Sequence, residues 1–173
     1  MKELSGSNFG LLIAYLIPGF TVLLGVSSIS ATLQEWLSVA PADAPTIGGF
    51  LYVTLASVAT GLTVSTIRWA VVDTLHHVTG VRQAKWDFSK LEKHIGAFEV
   101  LVESHYRYYQ FYGNMAVALV IAGAGWHFSG GTPRGIAWQD IMVILAVFLF
   151  AAGSRDTLGK YYERASHLLG GSA

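Results

Sequence analysis

The sequence predicts an all-α membrane protein with four transmembrane helices. Hydrophobic residues make up 53% of the 173 residues and charged residues only 13%, about half the charged fraction of an ordinary soluble domain. Long uncharged stretches recur along the chain, and the mean hydropathy is +0.47. A surface with so little charge has to face lipid over much of its area.

The first predicted span covers residues 9–33, which carry no charged side chain. A helix rises about 1.5 Å per residue, so this stretch is long enough to cross about 30 Å of hydrocarbon. Pro18 lies in its middle. Because proline removes one backbone donor and clashes with the preceding turn, we expect a kink or a break there. A connector with Pro41 and Pro45 follows, between residues 34 and 46.

The remaining spans are predicted at residues 47–68, 111–128 and 138–152. The second stays uncharged until Arg68, and glycines and a proline end the third. In the first turn of the fourth, the helix dipole favours the carboxylate of Asp140. No repeat or hinge marks a second domain, so residues 1–173 are predicted to form a single transmembrane domain.

The distribution of basic residues predicts the orientation. With four spans, both termini and the segment around residues 73–108 lie on the same side of the membrane. Cytoplasmic loops carry an excess of Lys and Arg, so this side is predicted to be cytoplasmic. It holds ten of the eleven basic residues: Lys2, Arg68, Arg82, Lys85, Lys90, Lys93, Arg107, Arg155, Lys160 and Arg164.

The cytoplasmic segment is predicted to contain the start of a long helix. Ser89 and Glu92 have the spacing of a capping box, and no proline interrupts the chain from Ser89 to Phe128. One helix of about 40 residues should therefore project from the membrane and continue into the third span. We expect helices 2 and 3 to extend into a helical hairpin. Steps of four and three residues place one apolar stripe on the long helix: Leu91, Ile95, Phe98, Val102, His105, Tyr109 and Tyr112.

Several polar and small residues are candidates for helix interfaces or a pore. Small residues let helices approach closely, and the alternative is that the same residues line an aqueous path in an oligomer. Arg68 either extends to the lipid headgroups or pairs with Asp156 or Asp73. The amide of Asn114 is expected to form a hydrogen bond across a helix interface. The candidate set is Thr54, Ser57, Gly61, Ser65, Arg68, Arg107, Tyr109, Tyr112 and Asn114.

A metal site is a weaker alternative, and no metal or other cofactor is predicted. Carboxylates and histidines three or four residues apart share a helix face, as in metal sites of helical bundles. The residues with this spacing are Asp73, His76, His77, Glu99 and Glu103. No repeated metal-binding motif connects them.

Other chemistries are excluded or disfavoured by composition. The chain has no cysteine, which excludes disulfides and thiolate ligands. A net charge of zero provides no basic field to recruit nucleic acid. Neither a GxSxG motif nor a phosphate-binding glycine loop is present. The sequence therefore favours a non-enzymatic protein.

Two short motifs resemble those of small four-span bacterial membrane proteins. They are residues 16–20, Leu-Ile-Pro-Gly-Phe, and residues 107–115, Arg-Tyr-Tyr-Gln-Phe-Tyr-Gly-Asn-Met. Compact proteins of this shape are frequent among membrane subunits of anti-phage defence systems. The resemblance implies a multi-pass protein of the bacterial inner membrane, a homo-oligomer that acts as a partner-coupled effector or channel. The alternatives are a non-catalytic accessory or scaffold subunit of a larger membrane complex and a membrane-embedded metalloenzyme.

Overall fold

The computed structural model describes residues 4–37, 47–129 and 137–170. Over these residues the chain is almost entirely helical, with one isolated β-bridge between Trp86 and Gly170. The α-helices are α1 (Leu4–Ser27), α2 (Ala31–Leu37), α3 (Ile47–Arg68), α4 (Thr74–Val78), α5 (Leu91–Leu101), α6 (Arg107–Phe128) and α7 (Trp138–Leu169). The π-turn Trp69–Asp73 joins α3 to α4, the 3₁₀ turn Phe88–Lys90 leads into α5, and the π-turn Val102–Tyr106 joins α5 to α6.

The central helix is α6, which packs against α1, α3 and α7. Its contacts with α1 show that these two helices run parallel. Gly10 lies against Arg107 near the start of both helices, and Gly25 lies against Ala122 near their ends.

The contact between α1 and α3 is antiparallel and brings the two backbones together. A Cβ atom on Gly19 would lie 1.8 Å from the carbonyl oxygen of Ser57, and one on Gly61 would lie 2.0 Å from that of Tyr15. Only glycine fits at such points, as in other helix pairs that approach through small residues. Gly61 and Ser57 therefore form a helix interface within the chain.

The last helix, α7, runs antiparallel to α6. The ring of Tyr112 packs against Gly153, and Gly123 lies beside Val143. The directions of the four long helices therefore alternate along the chain. The start of α6, the end of α4 and the second half of α7 consequently meet at one end, which we call the polar end: α4, the connector 79–90, α5 and residues 153–170.

Among the described residues, two helices are long and apolar enough to cross a membrane, Gly48–Val78 and Trp138–Leu169. A shorter apolar helix covers Ile13–Ser27, and the third predicted span, 111–128, is helical within α6. Connector residues 38–46, Lys2 and Arg134 lie outside the described residues.

The first helix differs from the prediction at Pro18 and at its C-terminal end. The helix α1 continues through Pro18, so of the expected kink or break the helix does not break there. It ends at Ser27, six residues before the predicted end of the span at residue 33. The side chains of Ser27 and Ser28 donate hydrogen bonds to the carbonyls of Leu24 and Gly25. These bonds satisfy carbonyls that would otherwise be unpaired at a helix end.

The predicted long helix is present with a kink at His94 and a π-turn at Val102–Tyr106, and its start and its partner differ from the prediction. The N-terminal cap is Asp87, whose carboxylate accepts from the backbone N–H of Ser89 at 3.1 Å, so the predicted capping box is wrong. Of the stripe, Phe98 and Val102 pack against the second half of α7 and not against the extension of helix 2, whereas Ile95 is exposed. The predicted hairpin of helices 2 and 3 is therefore replaced by an α5–α7 pair.

A compact core holds the polar end together. Leu101 and Tyr109 pack against Leu158, Tyr161 and Ala165 of α7. The C-terminal end of α7 is fixed to the connector, because the backbone N–H of Asp87 donates to the carbonyl of Leu169 at 2.7 Å and the indole of Trp86 donates to Ser166 at 3.2 Å.

Candidate functional site

Two π-turns lie at the same level of the molecule, at the junction between the apolar helices and the polar end. The first, Trp69–Asp73, follows α3, and the second, Val102–Tyr106, precedes α6. A π-turn places one extra residue in a helical turn, and such turns occur frequently at functional sites.

Each π-turn aligns two buried residues that are eight positions apart. Arg68 and His76 flank the first turn, and Leu101 and Tyr109 flank the second. In a regular α-helix, residues eight apart are rotated by about 80° from each other, whereas an extra residue in the turn reduces this to about 20°. The π-turns therefore keep one buried face continuous through the junction.

The guanidinium of Arg68 is the centre of the site. Only 4% of this residue is exposed. Its Nη1 donates to Asp73 Oδ1 at 2.8 Å and also to the hydroxyl of Tyr109, which is buried in α6. The Arg68 guanidinium carbon lies 4.7 Å from the centre of the Tyr109 ring. Removing one partner of such a buried ion pair strongly destabilises the folded protein, because the other charge is left uncompensated.

A glycine provides the space that Arg68 occupies. A Cβ atom on Gly113 would lie 2.6 Å from Arg68 Cδ and 3.1 Å from the hydroxyl oxygen of Ser154. Any larger residue at this position would displace the arginine from its partners.

A second buried polar contact joins α4 to α7. His76 Nε2 and the hydroxyl oxygen of Ser154 are 3.3 Å apart, and the Ser154 hydroxyl also lies 3.4 Å from the carbonyl oxygen of Tyr109, to which it donates. Ser154 is fully buried, so it is not accessible to a substrate as a nucleophile. The contact instead fixes the rotation of α4 relative to α6 and α7.

The predicted hydrogen bond of Asn114 across a helix interface is present. Its Nδ2 donates to the carbonyl of Ala14 in α1 at 2.9 Å, and the residue is fully buried. Asn114 Oδ1 and Arg68 Nε are the buried side-chain polar atoms without a hydrogen-bond partner in the described part of the chain.

The other interface or pore candidates do not converge on one path. Ser57 and Gly61 are buried against α1. The hydroxyl of Thr54 donates to the carbonyl of Phe50 within its own helix at 2.8 Å. Ser65 is half-buried in α3.

The aromatic and basic candidates in α6 also contact different neighbours and do not share one site. Arg107 lies beside Gly10 of α1 and 3.7 Å from Glu103. Tyr112 packs in an aromatic group with Phe111 and Phe150.

The metal candidates do not form a site. No group of three or more His, Asp or Glu residues that could hold a metal ion occurs among residues 4–37, 47–129 and 137–170. Asp73 is paired with Arg68, and His76 contacts Ser154. His77 lies 3.4 Å from the hydroxyl of Tyr162, while Glu99 and Glu103 are exposed on another helix.

At the other end of the molecule, α6 and α7 border an apolar groove of about 480 Å³. It includes Gly123, Ala124 and Phe148, with His127 and Asp140 at its end. The carboxylate of Asp140 accepts a hydrogen bond from the backbone N–H of Ala137 at 2.9 Å, as expected near a helix start.

The chain matches no known protein-family model, and neither a curated protein nor a solved structure matches it. The class is therefore defined by the fold alone: the described residues are helical, and two of the helices among them are long and apolar enough to cross a membrane.

Proposed function

We propose that the chain is a four-span membrane protein with both termini in the cytoplasm and that it acts as a partner-coupled effector or channel of the bacterial inner membrane. The observation that carries the membrane assignment is the outward face of the long helices. Large apolar side chains are exposed along α3 and along the first half of α7: Phe50, Leu51, Leu55, Leu62, Ile67, Trp138, Ile141, Met142, Leu145, Phe148 and Leu149.

Two exposed apolar faces of this length are unfavourable in water. Burying apolar surface is worth about 25 cal/mol per Å², and monomeric soluble proteins rarely expose large contiguous apolar patches. Lipid covers such faces without any partner chain. The alternation of helix directions supports the same placement, because it brings the basic residues Arg68, Arg107 and Arg155 to one end.

The coupling part of the proposal is supported by the buried polar junction. Arg68, Asp73 and Tyr109 tie α3 to α6 where the apolar helices meet the polar end. His76 and Ser154 tie α4 to α7 at the same level. A force or a binding event at the polar end is therefore transmitted directly to three of the long helices.

A channel formed by this chain would use surfaces other than the buried small residues. Ser57 and Gly61 are enclosed between α1 and α3 of one chain. On the exposed face of α3, the hydroxyls of Thr63 and Thr66 donate to carbonyls of the preceding turn, at 3.1 Å each.

The accessory-subunit function is the second candidate, and the groove between α6 and α7 favours it. The groove is apolar, and the first half of α7 contributes few buried residues. A membrane helix of a larger complex could pack there without displacing any side chain of this chain. The metalloenzyme has no such supporting observation.

The test is the mass of the detergent-solubilised protein together with identification of any co-purifying chain. We expect a closed ring of identical chains, and reconstituted vesicles containing that ring should release a trapped fluorescent dye or ion. A single copy held by larger subunits, without flux, would contradict the effector and support the accessory function. Extraction of the chain from membranes by alkaline carbonate would contradict the membrane assignment itself.

A further inference from the structure

We propose that the Arg68–Asp73 ion pair is a latch across the first π-turn, and that its release rotates α4 and the following connector relative to the rest of the molecule. The proposal deepens the coupling function and rests on it for its biological role, since it specifies the moving element between the polar end and the apolar helices.

The spacing of the pair shows that the π-turn and the ion pair depend on each other. Residues five apart in a regular α-helix are rotated by about 140°, too far to share a face, whereas one extra residue in the turn reduces this to about 40°. The observed 2.8 Å contact between Arg68 Nη1 and Asp73 Oδ1 therefore exists only while the π-turn is present.

Closing the π-turn to a regular α-helix would move everything that follows. Accommodating the extra residue rotates α4 by about 100° and advances it by about 1.5 Å along its axis. His76 would then leave Ser154, and Thr79 would leave Arg155, whose Nη2 donates to the Thr79 carbonyl at 2.8 Å. The latched state is defined by these two contacts.

The latch is also connected to the second π-turn. The hydroxyl of Tyr109 accepts from the same Nη1 atom of Arg68, and Tyr109 follows the π-turn Val102–Tyr106. On the other side, Leu75 and Val78 of α4 are 58% and 76% exposed, so little packing on that face of α4 opposes the rotation.

Cross-linking of two introduced cysteines tests the rotation directly, because the chain has no native cysteine. Thr79→Cys and Arg155→Cys are both exposed and form the reporter pair. Phe111→Cys and Phe150→Cys, whose rings are 6.1 Å apart across α6 and α7, form a control pair that does not involve the first π-turn. Both pairs are treated in the purified full-length chain with a bifunctional maleimide whose reach matches an extended arginine side chain.

We expect the reporter pair to cross-link efficiently and the added substitution Asp73→Asn to lower its yield about fivefold or more, since removing one partner strongly destabilises a buried ion pair. The control pair should be unaffected. Deletion of Val71, which is 59% exposed within the π-turn, should restore the yield in the Asp73→Asn chain. With one residue removed, a regular α-helix keeps His76 on the same face as Arg68.

Three results would overturn the latch. An unchanged reporter yield in Asp73→Asn means that the ion pair does not hold the rotation. Loss of both pairs means that Asp73 stabilises the whole bundle, and lack of rescue by the Val71 deletion means that the loss has another cause. None of these readouts requires activity or oligomerisation, so a failure here is distinguishable from a failure of the proposed function.

Discussion

Substitution of Gly61 by alanine should separate the α1–α3 contact and destabilise the protein. A Cβ atom at this position would lie 2.0 Å from the carbonyl oxygen of Tyr15, so the two backbones have to move apart by about 1 Å. Overpacking of a close interface costs about 1–3 kcal/mol. The higher helix propensity of alanine returns only about 1 kcal/mol of this.

Gly159→Ala is the matched control for the same chemical change. Gly159 lies inside α7, and a Cβ atom there would meet no atom within 4 Å. Because the helix-propensity gain is not opposed, this variant should be stabilised by about 0.5–1 kcal/mol.

The assay is thermal unfolding of the detergent-solubilised protein, followed by near-ultraviolet circular dichroism of the tryptophans. A chain of this size shifts its Tm by about 2–4 °C per kcal/mol, so the overpacking cost alone should make the two variants differ by about 2–12 °C. Equal midpoints for Gly61→Ala and Gly159→Ala would refute the close approach of α1 and α3.

Three further predictions concern polar contacts. Arg68→Met should destabilise the protein by about 3 kcal/mol, because it leaves the buried charge of Asp73 unpaired. Adding Asp73→Leu should recover most of this loss, since no buried charge then remains unpaired. A double-mutant cycle in unfolding experiments measures the coupling, and purely additive losses would contradict it. Asn114→Leu should cost about 1 kcal/mol through its lost hydrogen bond, measured by the same unfolding, and a neutral effect would contradict the interface role. The hydrogen bonds from Ser89 lower the pKa of the Asp87 carboxyl in the folded chain. Above the unfolded-state pKa the ionised carboxylate therefore stabilises the fold, and this stability is lost as the pH falls through the folded-state pKa. The stability difference between the native chain and Asp87→Asn should therefore be present at neutral pH and disappear in acid, and a difference that is independent of pH would contradict this.

Helices could be predicted from the sequence where an uncharged stretch, or a helical repeat of apolar residues without proline, marks their extent. The segments 47–68 and 111–128 are helical, and the long helix from Leu91 to Phe128 is interrupted only by a kink at His94 and by the π-turn Val102–Tyr106. These features depend on local composition alone, which a single sequence displays directly.

The π-turns could not be predicted, because a regular helical period of 3.6 residues per turn contains no signal for an extra residue in a turn. The predicted stripe included Ile95, which is 57% exposed, and omitted Leu101, which is buried. The extra residue in the turn Val102–Tyr106 shifts the buried face at this point. The other π-turn, Trp69–Asp73, brings Asp73 close to the face of Arg68, and of the two predicted partners Arg68 pairs with Asp73.

The second half of α7 did carry a sequence pattern that predicts it. Leu158, Tyr161, Ala165 and Leu169 are spaced at steps of three and four residues, and all four are buried. The predicted span ends at residue 152 because charged residues begin at Arg155, three residues further on. The amphipathic period of the following residues is the sequence feature that extends the helix beyond the membrane span.

The most direct test of the central claim is the side of the membrane on which each end of the helices lies. Single cysteines at Gln83 and Ser129, both exposed and at opposite ends of the molecule, can be labelled in intact cells with a membrane-impermeant maleimide. We expect Ser129→Cys to react in intact cells and Gln83→Cys to react only after the inner membrane is permeabilised. Labelling of both positions from the same side would contradict a membrane-spanning arrangement with the polar end in the cytoplasm.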